Sequence, residues 1–349
     1  MSDDVLVVGM PAGSLADPNR GGNLVSFLED AGFKTSGYQS GGPTSFSTAS
    51  YIVGWDGRPQ EFGSQLGLGE LDVAIAGDDW IRERCIELDV EYGVKIELER
   101  VLPLKRGGVR IVVIAPGDCA KESPEDFIRR QLKDKKILTV VSEMPYLALN
   151  WTREILARIG CGEEFANYSV QKYRTPPKIE SGVLIYETWG KTESKVKNGG
   201  ADFGIEITQS GSAIRSYGLA IIDTIMESES SIWINPDLRR TESKRELLQL
   251  FLLNLYGAIN AENKVMILFN VANDKAAEIE RYLQEYNLFA DEPTVNRGRD
   301  FMEYSIQMEV QDRRRPLARV RYELARLGAR SINTLPIDSS IPGIEILDA

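Results

Sequence analysis

Three short aliphatic runs limit what this chain can fold into more than any other feature: Val5-Leu6-Val7-Val8, Leu71-Asp72-Val73-Ala74-Ile75-Ala76 and Arg110-Ile111-Val112-Val113-Ile114-Ala115. Near-continuous apolar stretches of this length read as strands covered on both faces. The first passes through Gly9-Met10-Pro11-Ala12-Gly13-Ser14 into a helical pattern over 22–31, with Leu24, Val25, Phe27 and Leu28 apolar and Gly32 closing it. Segment 36–69 is rich in Gly, Ser, Thr and Pro and reads as loops around one short strand at 50–53. Strands that alternate with helices predict an α/β fold with a mostly parallel, doubly wound sheet.

The pattern repeats beyond Pro116. Strands are predicted at 137–141, 183–186 and 201–208, with a helix over 144–159. Two further strands, 221–226 and 231–235, return to the first half, and a long helix over 247–261 leads onward. In the last part, Met302, Tyr304, Ile306, Met308 and Val310 alternate with Glu303, Ser305, Gln307 and Glu309, the mark of a half-buried antiparallel strand. With strands at 264–271, 293–297 and 331–337, a helix capped by Asp274 and a helix over 313–327, the order is β-α-β-β-α-β, a ferredoxin-like unit.

Composition removes whole classes of chemistry. The chain has no histidine, which excludes Ser-His-Asp and Cys-His nucleophile systems and any imidazole-bound metal. Acid or base work falls to Asp, Glu, Lys, Tyr or Cys, and a metal would be a hard cation held by oxygens, with magnesium the natural choice. The net charge of −11 argues against a nucleic-acid binder, and no apolar run reaches the roughly 18 residues of a membrane span. Cys85, Cys119 and Cys161 lie far apart and read as reduced thiols. The acidic, strand-like start is unlike a secretory signal, so a chain that begins at Met1 in the cytoplasm is expected.

The segment Glu206-Ile207-Thr208-Gln209-Ser210-Gly211-Ser212-Ala213-Ile214-Arg215-Ser216-Tyr217-Gly218-Leu219 is the most informative for function. A strand ends near an acid, and a loop of small residues opens a helix. Small side chains let successive amides face one point, which suits a phosphate monoester, and the acid can accept hydrogen bonds from ribose hydroxyls. An ordinary strand-to-helix turn has the same pattern, and the residues alone leave both readings open.

This segment resembles the phosphoribosyl-pyrophosphate loop of the ATP phosphoribosyltransferase family, with Glu206 on the acid, Ser210-Gly211 on a Thr-Gly pair and Gly218-Leu219 on the closing pair. Other blocks follow in the family's order: Met10 to Leu15, Leu71 to Trp80, Gly190-Lys191-Thr192-Glu193, and Leu327-Gly328-Ala329 with Leu335-Pro336-Ile337-Asp338. The resemblance implies the long form: a two-lobed, periplasmic-binding-protein-like core with doubly wound sheets, plus a C-terminal ferredoxin-like regulatory domain. Lobe I would take 1–115 and 220–261, lobe II 116–219, and the regulatory domain 262–349.

By the same resemblance, phosphoribosyl pyrophosphate with Mg²⁺ would be the donor and a purine nucleotide or related base the acceptor, in the first step of histidine biosynthesis. Glu193 and Glu206 are the expected catalytic residues. Ser210, Gly211, Ser212, Ala213, Gly13, Ser14, Asp78, Asp79 and Arg58 are the expected substrate contacts. An amino-acid effector and assembly into dimers or hexamers are also implied. The family's N-terminal basic pair is replaced by Ala12 and Ser14, its second loop Thr by Ala213 and its Asn by Tyr217, which marks a divergent member. Arg20 or Arg58 would have to meet the pyrophosphate instead. Asp78 and Asp79 also fit a strand-end turn and helix cap, and Arg58 a solvated loop; Arg110, beside Gly107-Gly108, matches a Gly-x-Cys-Arg element of the family and also fits an anchor of its strand. A reading from another class is a two-lobed ligand-binding or sensor protein that kept the fold and lost catalysis.

Overall fold

The computed structural model describes residues 5–12, 23–38, 43–289 and 294–347. The elements of the first part run β1 (Leu6–Pro11), α1 (Leu24–Asp30), β2 (Thr35–Ser36), β3 (Ser45–Phe46), β4 (Ile52–Gly57), α2 (Pro59–Gly67), β5 (Val73–Gly77), α3 (Asp78–Tyr92) and β6 (Glu99–Pro116). They continue with α4 (Pro124–Leu132), β7 (Ile137–Ser142), α5 (Pro145–Arg158), β8 (Tyr168–Lys172), β9 (Gly182–Glu187), α6 (Thr192–Lys197), β10 (Phe203–Thr208), α7 (Ser212–Ser216) and β11 (Leu219–Ile234). The chain ends with α8 (Glu242–Ala261), β12 (Lys264–Ala272), α9 (Ala276–Tyr286), β13 (Thr294–Arg297), β14 (Phe301–Glu309), α10 (Leu317–Arg326) and β15 (Arg330–Pro336).

The core is one nine-stranded sheet in the order β4-β1-β5-β11-β6-β10-β7-β9-β8. Two parallel blocks, β4-β1-β5 and β10-β7-β9-β8, flank a centre in which β11 and β6 pair antiparallel with each other and with their neighbours. The sheet is therefore mixed, and its two halves share the long strands β6 and β11. The aliphatic runs lie where two-sided burial demands them: Val73 to Ala76 and Ile111 to Ala115 are fully buried.

Several expectations need correction. The two strands expected at 221–226 and 231–235 are one strand, β11, whose register against β6 shifts repeatedly along its polar middle. Segment 36–69 holds the helix α2, whose Phe62 and Leu66 are buried. Asp274 does not cap a helix but lies in a 3₁₀ turn before α9, and the helix expected from Arg313 begins at Leu317, after Pro316. Proline suits the entry of a helix because it has no N–H to leave unsatisfied there.

Contacts divide the chain into two compact units, one of Met1–Val25 with Thr35–Leu247 and one of Ser26–Lys34 with Leu248–Ala349. The boundary expected at 262 therefore moves back into α8. Phe251 of that helix is fully buried and its ring meets Phe33 at 5.1 Å, which draws the C-terminal part of α8 into the second unit. Within that unit the sheet order β13-β14-β12-β15, all antiparallel, is the ferredoxin-like arrangement. Its core joins Ile267, Phe269 and Tyr304 of the strands to Ile279 and Leu283 of α9 and Val320 and Leu324 of α10.

Candidate active site

The small-residue loop sits where β10 ends. Phe203 and Ile205 are buried among the aliphatic core, which leaves Gly204 and Glu206 on the opposite face. Gly204 is needed there, because a Cβ would lie 2.8 Å from Thr192 Cγ2 and 2.9 Å from Val196 Cγ2 of α6. That close approach brings Thr192 and Glu193, in the first turn of α6, beside Glu206. The turn itself is pinned by its own polar groups. Gly211, in the left-handed region at φ 71°, donates its amide to Thr208 Oγ1 at 2.9 Å. The Ser210 and Ser212 hydroxyls meet at 3.0 Å, and Ser212, Ala213 and Ser210 are exposed. A Cβ on Gly211 would stand 3.0 Å from the Arg215 guanidinium and 3.2 Å from Ile221.

Glu206 is the perturbed acid of this cluster. Burial pushes its carboxyl up to about 7, and the charge of Glu193 adds to this, with a smaller push from Glu143. The Ile207 amide, which donates to Glu206 Oε1 at 3.0 Å, favours the charged form and opposes the rise. Glu143 follows β7, and its turn is fixed by Ser142 Oγ, which donates to the Ile205 carbonyl at 3.1 Å and accepts from the Met144 amide at 2.9 Å. Glu143 was not among the residues expected. No group of three Cys, Asp or Glu side chains that could hold a metal ion occurs among the described residues.

The remaining expected residues are distributed as follows. Asp78 and Asp79 open α3, and both carboxylates have partners within the protein. Asp78 accepts from Trp233 Nε1 at 3.1 Å and pairs with Arg100 at 3.0 Å, while Arg100 also holds Glu229 at 2.7 Å and Ser231 Oγ at 2.8 Å. Asp79 is 4% exposed, its carboxyl raised by burial, and it accepts from the Trp80 amide at 2.9 Å. A cavity of about 560 Å³ is lined by Asp78, Arg100, Arg110, Gln209, Glu227 and Glu229, among others, and so touches both the start of α3 and the small-residue loop.

Arg58 stands at the N-cap position of α2 with no capping hydrogen bond from its side chain, and it lines a second cavity, of about 350 Å³, with Trp80, Glu83, Glu143, Glu187 and Trp189. Glu83 there is 5% exposed and accepts from the Tyr146 and Leu147 amides at 2.9 and 2.6 Å, capping α5 from α3. Burial holds its carboxyl up to about 8 against those two amides. Gly13 and Ser14, with Arg20, lie outside the described residues.

An acid and a small-residue loop at a strand end of an α/β sheet, beside a polar cavity, suit a ligand that carries a phosphate and sugar hydroxyls. Comparison with known proteins sharpens this. Residues 58–257 match the family model described as "HisG: ATP phosphoribosyltransferase". The chain is 28% identical over 346 residues to the ATP phosphoribosyltransferase of Geotalea daltonii, covering 97% of this chain and 99% of that protein. It is 29% identical over 339 residues to that of Chlorobium phaeobacteroides, covering 94% and 95%.

Among solved structures, the ATP phosphoribosyl transferase (HisG:HisZ) complex from Thermotoga maritima is similar in fold, with a TM-score of 0.51 and 18% identity, covering 74% of this chain and 100% of that one. The chain belongs to the ATP phosphoribosyltransferase family. It is a glycosyltransferase-type enzyme of histidine biosynthesis, in a family that uses a divalent metal. Among the described residues no helix is long and apolar enough to cross a membrane.

Proposed function

We propose that this chain transfers the 5-phosphoribosyl group of phosphoribosyl pyrophosphate to ATP, with Ser210 to Ala213 on the 5-phosphate and Glu206 on the ribose hydroxyls. A ring nitrogen of the nucleobase attacks the anomeric carbon, the C–O bond to the diphosphate breaks, and pyrophosphate leaves with that electron pair. Positioning and stabilisation of the leaving group carry such a step, so little covalent help is needed. Glu206 accepts from hydroxyls when ionised, and Glu193, close enough to raise its proton affinity, completes an acidic pair that faces the ribose. Mg²⁺ enters with the donor, whose phosphate oxygens would supply most of its coordination, as is usual for this ion. The observation that carries this reading is the meeting of a half-buried acid with a hydroxyl-pinned loop on one sheet face, beside a cavity that Gln209 also lines.

The reading extends to partners. In the second unit, a cavity of about 640 Å³ lined by Lys264, Arg315, Glu309, Asp312, Asn260 and Gln307, among others, offers both charge signs and suits the ammonium and carboxylate of an amino-acid effector. Homo-oligomers, as dimers or hexamers, and a cytoplasmic setting belong to the same proposal. The loop is tested by Gly211→Val. Phosphoribosyl pyrophosphate at about 100 times its dissociation constant stabilises the wild type by roughly 2.7 kcal/mol, and the variant loses that shift. A wild type whose melting temperature ignores the donor removes the loop from the site.

A further inference from the structure

The cavity of about 560 Å³ holds an arginine that nothing among the described residues employs. Arg100 and Arg110 both line it. Arg100 is bound to Asp78, Glu229 and Ser231. Arg110 is half-buried, and its guanidinium has no hydrogen bond or ion pair among the described residues. A guanidinium in a cleft is an unsatisfied fork of donors, matched in shape to phosphate oxygens.

Its place in the sheet sets it beside the loop and the acid. Arg110 of β6 stands directly opposite Thr208 of β10, and Val112 opposite Glu206. Directly opposed residues of an antiparallel pair share a face and lie about 5 Å apart at Cα. Arg110 is therefore on the same face as Glu206 and as the threonine that pins the loop. On its other side β11 sets Glu227 opposite Arg110, also lining the cavity and also without an ion pair among the described residues. Two neighbouring side chains of opposite sign that leave each other unpaired suit a ligand carrying both signs, such as a diphosphate chelated to a divalent cation.

We propose that Arg110 binds the diphosphate of the donor, and of the pyrophosphate product, taking the part of the basic residues that Ala12 and Ser14 replace. Glu227 faces the accompanying cation or its water shell. This rests on the reading that the loop holds the 5-phosphate, and it assigns the other end of the same molecule.

The test is calorimetric titration of the full chain with Mg²⁺-pyrophosphate and, separately, with ribose 5-phosphate, for the wild type, Arg110→Met and Arg110→Lys. Methionine keeps the length of the stem, and circular dichroism checks each fold. In Arg110→Met the affinity for Mg²⁺-pyrophosphate falls at least tenfold and Arg110→Lys restores part of it. Ribose 5-phosphate, which lacks the diphosphate, binds all three proteins equally. Equal pyrophosphate affinity in wild type and Arg110→Met overturns the assignment, as does a wild type that does not bind pyrophosphate or a variant that loses both ligands alike. Should Arg110→Met fail to fold, wild-type pyrophosphate affinity in Arg110→Lys likewise overturns the bidentate role. If ribose 5-phosphate fails to bind the wild type while pyrophosphate binding depends on Arg110, the loop reading falls and the Arg110 site stands.

Discussion

Glu206→Gln separates what the acid does for the fold from what it does for the ligand. In the folded protein burial and the neighbouring Glu193 raise its carboxyl from 4.5 to about 7. An acid whose proton affinity is higher in the folded state stabilises the protein fully below its unfolded value of about 4.5, and that contribution is lost as pH rises through about 7. Above pH 7 the fold therefore carries an ionised, half-buried carboxylate beside Glu193. At about 1.4 kcal/mol for each pH unit in that window the ceiling is about 3 kcal/mol, and the hydrogen bond from the Ile207 amide, which a neutral amide accepts less strongly, reduces it. Thermal unfolding of Glu206→Gln at pH 8 should show a stabilisation of about 1–2 kcal/mol, or a few degrees, that vanishes near pH 4.5. At pH 8 donor affinity should fall about tenfold, because an amide is a weaker acceptor for ribose hydroxyls than a carboxylate. A variant less stable than the wild type at pH 8, with donor affinity intact, would refute both halves of this reasoning.

Glu83→Ala leaves the Tyr146 and Leu147 amides of α5 without their acceptor, so denaturant unfolding should show a loss of about 2 kcal/mol, and Glu83→Gln a smaller one. In the second unit the Tyr304 ring is fully buried, stacks on Phe269 at 5.5 Å and donates its hydroxyl to Glu280 at 2.9 Å. Tyr304→Ala should destabilise that unit by about 3–5 kcal/mol, read as an earlier transition in chemical denaturation.

What was legible in the sequence follows the physics of burial. The runs at Val5, Leu71 and Arg110 are covered on both faces, so their signal is continuous, and Phe301 to Glu309 is covered on one, so it alternates. The first half of β6 was not legible, because Pro103, Lys105, Arg106, Gly107 and Gly108 interrupt any apolar pattern, although β11 pairs with that stretch. The same holds for the polar middle of β11, where Glu227, Ser228 and Glu229 line a cavity rather than a core. In the site, the loop and Glu206 were legible as a local pattern. The approach of Glu143 to Glu206 was not, since it depends on the long-range pairing of Val141 with Gly204 and Ser142 with Ile205. The roles of Asp78 and Asp79 turned on Arg100, Trp233 and Ser228, all remote in sequence.

The central claim, that this chain transfers a phosphoribosyl group from phosphoribosyl pyrophosphate to ATP, is tested most directly by pyrophosphate release. The full chain is incubated with phosphoribosyl pyrophosphate, Mg²⁺ and, in turn, ATP, other purine nucleotides and free purine bases. The account predicts stoichiometric pyrophosphate and a phosphoribosylated nucleotide with ATP, abolished in Gly211→Val and strongly reduced in Arg110→Met. Tight donor binding with no pyrophosphate released for any acceptor would contradict it and leave a phosphoribosyl-pyrophosphate-binding protein on a transferase fold.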